Sequence, residues 1–161
     1  IKEKPAIPAL FLFDEFAQLG KMALIEDSLS LIRGYGASFW FIIQDLSQLK
    51  AVYKKWQSFL ANTTKQFFSA SDYDTAKYIS DSLGKKTIEY ATGKINDGRE
   101  LGGVENQQFM ARNLLNPDEV MRLKPDDVLV FSRSENAYKM TRLNYLTDEE
   151  YSGHFQPNPM H

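Results

Sequence analysis

The stretch PALFLFDEFAQLG, Pro8 to Gly20, decides how the rest of the chain is understood. Ala9 to Phe13 is an unbroken apolar run bounded by Pro8 on one side and by two adjacent carboxylates, Asp14 and Glu15, on the other. Such a run has the pattern of a strand covered on both faces in a parallel sheet. Ligands of open α/β sheets bind at the carboxyl ends of the strands, and the acidic pair stands at such an end. In a nucleotide-hydrolysing site an aspartate here suits Mg²⁺ held largely through water, and the next glutamate suits orienting and deprotonating the attacking water. Acidic residues also follow buried strands simply to meet solvent or cap a helix, so the pair alone leaves both readings open.

The residues that follow settle the fold class. Met22, Ile25, Leu29 and Ile32 recur at helical spacing, and Gly34-Tyr35-Gly36 supplies a glycine stop. Ser38 to Ile43, SFWFII, is again apolar after its first residue. Strand, helix and strand thus succeed one another over about 35 residues, the length of a βαβ crossover. The expectation is an α/β fold with a mainly parallel sheet.

Further along, LSQLKAVY and WQSFLANT read as helical and KQFFSA (Lys65 to Ala70) as a short strand. A helix is expected over Tyr73 to Leu83, capped by Ser71 or Asp72, with Ala76, Ile79 and Leu83 as its buried stripe and Gly84 as its stop. Five of the nine glycines cluster at Gly84, Gly93, Gly98, Gly102 and Gly103 around the alternating segment KTIEYATGK. A hairpin followed by a mobile loop is expected over 85–111. In NPDEVMRL, Asn116 is a good N-cap, Pro117 suits the first helical turn, and Glu119 completes a capping-box pattern. DVLVFSR (Asp127 to Arg133) and YKMTRLNYL (Tyr138 to Leu146) look like strands, the second nearer an edge. One domain over 1–147 and a polar tail over 148–161 are expected.

The 161 residues are 43% hydrophobic, enough for one core, and 19 basic against 21 acidic residues announce no nucleic-acid binder at whole-chain level. There is no cysteine, and the two histidines, His154 and His161, lie in the tail, so thiolate metal sites and disulfides are out. No apolar run approaches the roughly 20 residues of a membrane span. A cytosolic setting fits best, and the start at Ile1 rather than methionine reads as a piece of a longer chain.

Gln44 ends the second strand as Asp14 ends the first, so an amide with both donor and acceptor can face the same crevice and sense a terminal phosphate or the attacking water. Helix capping is its plainer role. Arg33, at the end of the intervening helix, is a favourable cation at a helix C-terminus, or in a ring ATPase an arginine finger for the next subunit. Arg112 and Arg122 read as surface or packing residues. Lys50, Lys54 and Lys55 beside Tyr53 and Trp56, with Lys85-Lys86, form only modest basic clusters. The phosphate loop G-x-x-x-x-G-K-[ST] does not occur: LGKM, LGKK and TGKI lack the earlier glycine and the hydroxyl.

Four blocks, LFLFDEFAQLGKM, LIRGYGASFWFIIQDLSQLKAVY, FFSASDYDTAKYISDSLG and RNLLNPDEVMRL, together resemble the C-terminal half of the nucleotide-binding domain of type IV secretion coupling proteins, the TraG-type ATPases. The resemblance implies a RecA-like P-loop NTPase, a three-layer sandwich of which this chain holds only the C-terminal half, without the Walker A half. It implies Asp14 and Glu15 as the Walker B pair, with Asp14 on Mg²⁺ and Glu15 on the attacking water, Gln44 as the glutamine beside the nucleotide, and Arg33 as the trans-acting finger. Arg112 opens the R-x-L-L-x-P-D-E block in a structural role, or in contact across the subunit interface. ATP and Mg²⁺ are the implied cofactors of the complete protein, this piece being inactive alone. The implied partners are neighbouring subunits of a homo-hexamer, secretion-channel components, and DNA-relaxase complexes or protein effectors with adaptors. Its place would be the cytoplasmic face of the bacterial inner membrane, anchored by helices absent from this sequence. Two other functions remain open from the residues: a non-catalytic RecA-like module docking a substrate, adaptor or subunit through residues 93–111, and a DNA translocase unrelated to secretion.

Overall fold

The computed structural model describes residues 4–92 and 106–156. In chain order the strands are β1 (Ala9–Phe13), β2 (Ala37–Phe41), β3 (Lys65–Phe67), β4 (Lys85–Thr92), β5 (Asn106–Asn113), β6 (Asp127–Phe131) and β7 (Tyr138–Thr141). The helices are α1 (Ala23–Ser28), α2 (Leu46–Val52), α3 (Trp56–Ala61), α4 (Tyr73–Leu83) and α5 (Pro117–Met121). They divide into two compact units, Ile1–Ala70 with Leu123–His161, and Ser71–Arg122.

In the first unit β1 and β2 run parallel and in register, with Ala9 opposite Ala37 and Phe13 opposite Phe41. The expected single helix of the crossover is broken into α1 and a 3-10 turn at Ile32–Tyr35. The Ser28 hydroxyl donates to the Leu24 carbonyl at 2.5 Å and competes with the helical ladder there. Gly36 closes the crossover at φ 71°, where an added Cβ would sit 2.7 Å from Pro5 Cδ, so both angle and space demand glycine.

Paired residues of parallel strands project to the same face. Phe11, Phe13, Phe39 and Phe41 share one face and meet edge-on, tilted or stacked at 5.6–5.8 Å between ring centroids. Of these, Phe13, Phe39 and Phe41 pack against the buried cluster of Phe16, Ile25, Leu49, Tyr53 and Phe59. The opposite face is open: Leu10, Leu12 and Trp40 are 58%, 59% and 54% exposed. Strands patterned for cover on both faces are thus covered on one.

The α/β class holds, but the pairing is mixed. β6 lies between β3 and β7 and is antiparallel to both. The six residues 132–137 that join β6 to β7 are too few for the crossover that a parallel pair needs. β6 carries the burial of this sheet, with Val128 to Phe131 all buried. β7 stops at Thr141 rather than Leu146, because Asn144 turns the chain by donating its N–H to Asp148 Oδ2 at 2.7 Å.

In the second unit α4 has the expected bounds. Asp72 is its cap, accepting the Thr75 N–H at 2.8 Å, and Ala76 and Ile79 are fully buried. β4 and β5 form an antiparallel hairpin, so 106–111, expected as loop, is strand. Cross-strand pairing overrides a segment, NQQFMARN, whose polar residues hide its period. The remainder of the expected loop, 93–105, and the tail from 157 lie outside the described residues. Fully buried Ser80 donates to the Leu115 carbonyl at 2.6 Å and accepts from Asn113 Nδ2 at 3.0 Å, tying α4 to the end of β5.

The open face of β1 and β2 gives the first expected outcome. Produced by itself, the chain should self-associate in light scattering, and Leu12→Lys with Trp40→Gln should lower the apparent mass. A monodisperse monomer before substitution would refute this.

Candidate functional site

The acidic turn is held from both sides. The Ile42 N–H donates to the Phe13 carbonyl at 2.9 Å, and the Phe16 N–H donates back to the Ile42 carbonyl at 2.9 Å. Phe16 is fully buried and lies flat on Tyr53, with centroids 5.3 Å apart and an 8° interplanar angle, and meets Phe41 at 4.5 Å. With Phe13 and Phe16 both fixed, Asp14 and Glu15 must complete the turn alone. Glu15 does so in the left-handed region, φ 46° and ψ 46°. That conformation costs a residue with a Cβ roughly 1–2 kcal/mol. Burying a phenylalanine contributes about 1.5–3 kcal/mol, enough to offset it. Asp14 Oδ1 accepts the Glu15 N–H at 3.0 Å, and both carboxylates are exposed.

β2 stops at Phe41, and the chain continues through Ile42 and Ile43 to Gln44, at the same end of the parallel pair as Asp14 and Glu15. Gln44 precedes Asp45, which caps α2 by accepting the Gln48 N–H at 2.9 Å. The Gln48 side chain turns back, its Nε2 donating to Gln44 Oε1 at 3.0 Å. α2 ends at Tyr53, which is fully buried. Its hydroxyl donates to the Gly20 carbonyl at 3.2 Å and accepts the Met22 N–H at 3.1 Å.

The structure therefore brings three of the four expected residues, Asp14, Glu15 and Gln44, to one end of β1 and β2. It places Arg33 at the other. Arg33 is exposed in the 3-10 turn that leads into β2. A five-residue strand, about 16 Å long, separates that turn from the Gln44 end, farther than an arginine side chain reaches. Gln48 and Tyr53 were missed from sequence; the i, i+4 spacing of Gln44 and Gln48 was the available signal.

In the second unit Arg112 Nη2 donates to Glu119 Oε1 at 2.6 Å, and Glu119 Oε2 accepts the Asn116 N–H at 2.7 Å. The Asn116 N–H first, and the Arg112 guanidinium second, hold the Glu119 carboxyl below the usual glutamate range. This cap is complete above that range and is lost as pH falls below it. Arg112 thus has the structural role expected of it.

No group of three or more His, Asp or Glu able to hold a metal occurs among the described residues. Asp14 fits a different mode. It is an exposed carboxylate with one oxygen engaged by the backbone, a hard donor of the kind Mg²⁺ takes singly while completing its shell with water and phosphate oxygens. The recess between the 3-10 turn Phe16–Leu19 and α2, lined by Ala17, Gln18, Gln48, Ala51 and Val52, is about 220 Å³, too small for a nucleoside triphosphate.

The parallel pair, with an acidic turn at its carboxyl end and an amide beside it, belongs to an α/β fold. Solved structures share this fold. The conjugative coupling protein TrwB in its unbound form matches with a TM-score of 0.69 and 24% identity, over 89% of this chain and 33% of that one. TrwB in complex with ADP and Mg²⁺ matches with a TM-score of 0.66 over 88% of this chain and 32% of that one. The model of the type IV secretory system conjugative DNA transfer family matches residues 1–160, and the chain belongs to that family. VirD4 of Rhizobium rhizogenes is 34% identical over 142 residues, 86% of this chain and 21% of that protein. TraG of Rhizobium radiobacter is 30% identical over 164 residues, 92% of this chain and 25% of that protein. The chain thus spans about a fifth to a quarter of the length of these relatives.

Tyr53→Phe removes the hydroxyl that joins Gly20 to Met22 and leaves the stack on Phe16. It should cost about 1–3 kcal/mol of stability, with no change in secondary structure. Thermal unfolding followed by circular dichroism measures this, and an unchanged midpoint would refute the role of the hydroxyl.

Proposed function

We propose that this chain is the part of a coupling-protein ATPase that activates water and reads the terminal phosphate, working with a phosphate-loop half elsewhere in the same protein. The observation that carries this is Glu15, held left-handed beside Asp14 at the end of β1, with Gln44 at the same end of β2. That TrwB, of the same fold, is solved with ADP and Mg²⁺ supports it. No helix among the described residues is long and apolar enough to cross a membrane, so the proposed inner-membrane attachment would lie outside them.

Asp14 would hold Mg²⁺, which when bound neutralises charge on the phosphates. Glu15 accepts a proton from the attacking water as its oxygen bonds to the γ-phosphorus. The bond from that phosphorus to the bridging oxygen breaks, and ADP carries the electron pair away. Arg33, too far from the carboxylates of its own molecule, would serve the phosphates of a neighbouring subunit in a ring. Transport of DNA-protein complexes or effectors to the secretion channel is the work such turnover would drive.

In the full-length protein Glu15→Gln should lower ATP turnover by about 10²-fold or more while nucleotide binding persists. Unchanged turnover would refute the water-activating role. Subunits carrying Glu15→Gln and subunits carrying Arg33→Ala should each be inactive, and mixing them should restore activity at interfaces where an intact Glu15 meets an intact Arg33. No recovery in assembled mixtures would refute action across the interface.

A further inference from the structure

Gln44 can serve a nucleotide site in two opposite ways. Its Oε1 can accept a hydrogen bond from the attacking water, or its Nε2 can donate to an oxygen of the terminal phosphate. Residue type does not choose between them. The surroundings of the amide do.

Gln48 Nε2 donates to Gln44 Oε1 at 3.0 Å, which engages the acceptor end of the Gln44 amide with a donor of the same molecule. Gln48 is itself held, because its backbone N–H donates to the Asp45 carboxylate at 2.9 Å at the start of α2. α2 is fixed in turn by buried Leu46, Leu49 and Tyr53. Gln44 lies in the irregular segment before that cap, so no secondary-structure ladder orients it. Its amide is held at the oxygen by Gln48, which leaves the two N–H groups of Nε2 as the donors it can offer.

We infer that Gln48 is a positioning residue that fixes Gln44 as a hydrogen-bond donor, so that Gln44 reads an anionic oxygen of the terminal phosphate rather than orienting the attacking water. This rests on the nucleotide-hydrolase reading given above. It also separates the work at the site: Glu15 is the acceptor facing water, and Gln44 is the donor facing phosphate.

The test uses two charged replacements with opposite hydrogen-bond polarity. Gln48 occupies the third position of α2, where Glu stabilises a helix N-terminus and Lys does not. Stability alone would therefore favour Gln48→Glu over Gln48→Lys. Polarity predicts the reverse for catalysis, since Lys still donates to Gln44 Oε1 and Glu offers only acceptors. In the full-length protein Gln48→Glu should lower kcat for ATP on the order of tenfold to a hundredfold with KM little changed, approaching the loss in Gln44→Ala. Gln48→Lys should retain most of the activity although it melts no higher than Gln48→Glu. In a Gln44→Ala background neither change should add a further loss.

Activity that follows thermal stability, or a Gln48→Glu effect that persists without Gln44, would overturn the inference. If Glu15→Gln and Gln44→Ala both leave turnover intact, the nucleotide-hydrolase reading itself fails. If those two abolish turnover and Gln48→Glu does not, only the positioning role fails.

Discussion

The carboxyl end of β1 depends on Phe16. Its side chain is fully buried against Tyr53, Phe41 and Phe59, and its N–H is committed to the Ile42 carbonyl. Once that residue is seated, the two residues before it have no freedom to spread along the strand. Glu15 takes a backbone conformation that glutamate does not seek, and its carboxylate is presented at the strand end instead of following the strand onward. A left-handed residue at such a place is stored strain, maintained because releasing it would withdraw an aromatic ring from the core.

Tyr53 extends this constraint to Gln44. The seven-residue helix α2 begins with the Asp45 cap and the Gln48–Gln44 bond, and its C-terminal cap is the tyrosine that stacks on Phe16 and joins Gly20 to Met22. The acidic turn and the amide, 29 residues apart in sequence, therefore lean on the two ends of one short helix. The helix is too short to persist by propensity and is held by buried Leu46 and Leu49. Displacement of either end would be felt at the other. The second unit is organised differently, with small cores around Ile79 and Val120 completed by polar caps at Asp72 and Glu119.

Much of this was legible from local chemistry. β1 is found by its apolar run, α4 by Asp72 and Gly84, and α5 by the reciprocal positions of Asn116 and Glu119, because each signal lies within a few residues of what it controls. Asp14, Glu15 and Gln44 were legible because strand ends in parallel pairs are predictable places. The antiparallel direction of β6 and the strand character of β5 were not, since both follow from partners remote in sequence. Gln48 was hidden by its ordinariness on a helix. Tyr53 was hidden by distance, its hydrogen bonds reaching back 31 and 33 residues. The left-handed state of Glu15 was invisible because burial of the following residue imposes it.

The position of Arg33 follows from the same strand geometry. A crossover between parallel strands returns the chain to the amino end of β2, so any residue in its last turn is displaced from the carboxyl end by the full strand. For one molecule this separates an arginine from the carboxylates it would assist. For a ring it is an advantage, because a charge that cannot reach its own site cannot complete that site until a neighbour is docked. In such a ring, turnover would depend on assembly through distance. The five residues of β2 set that distance within one molecule.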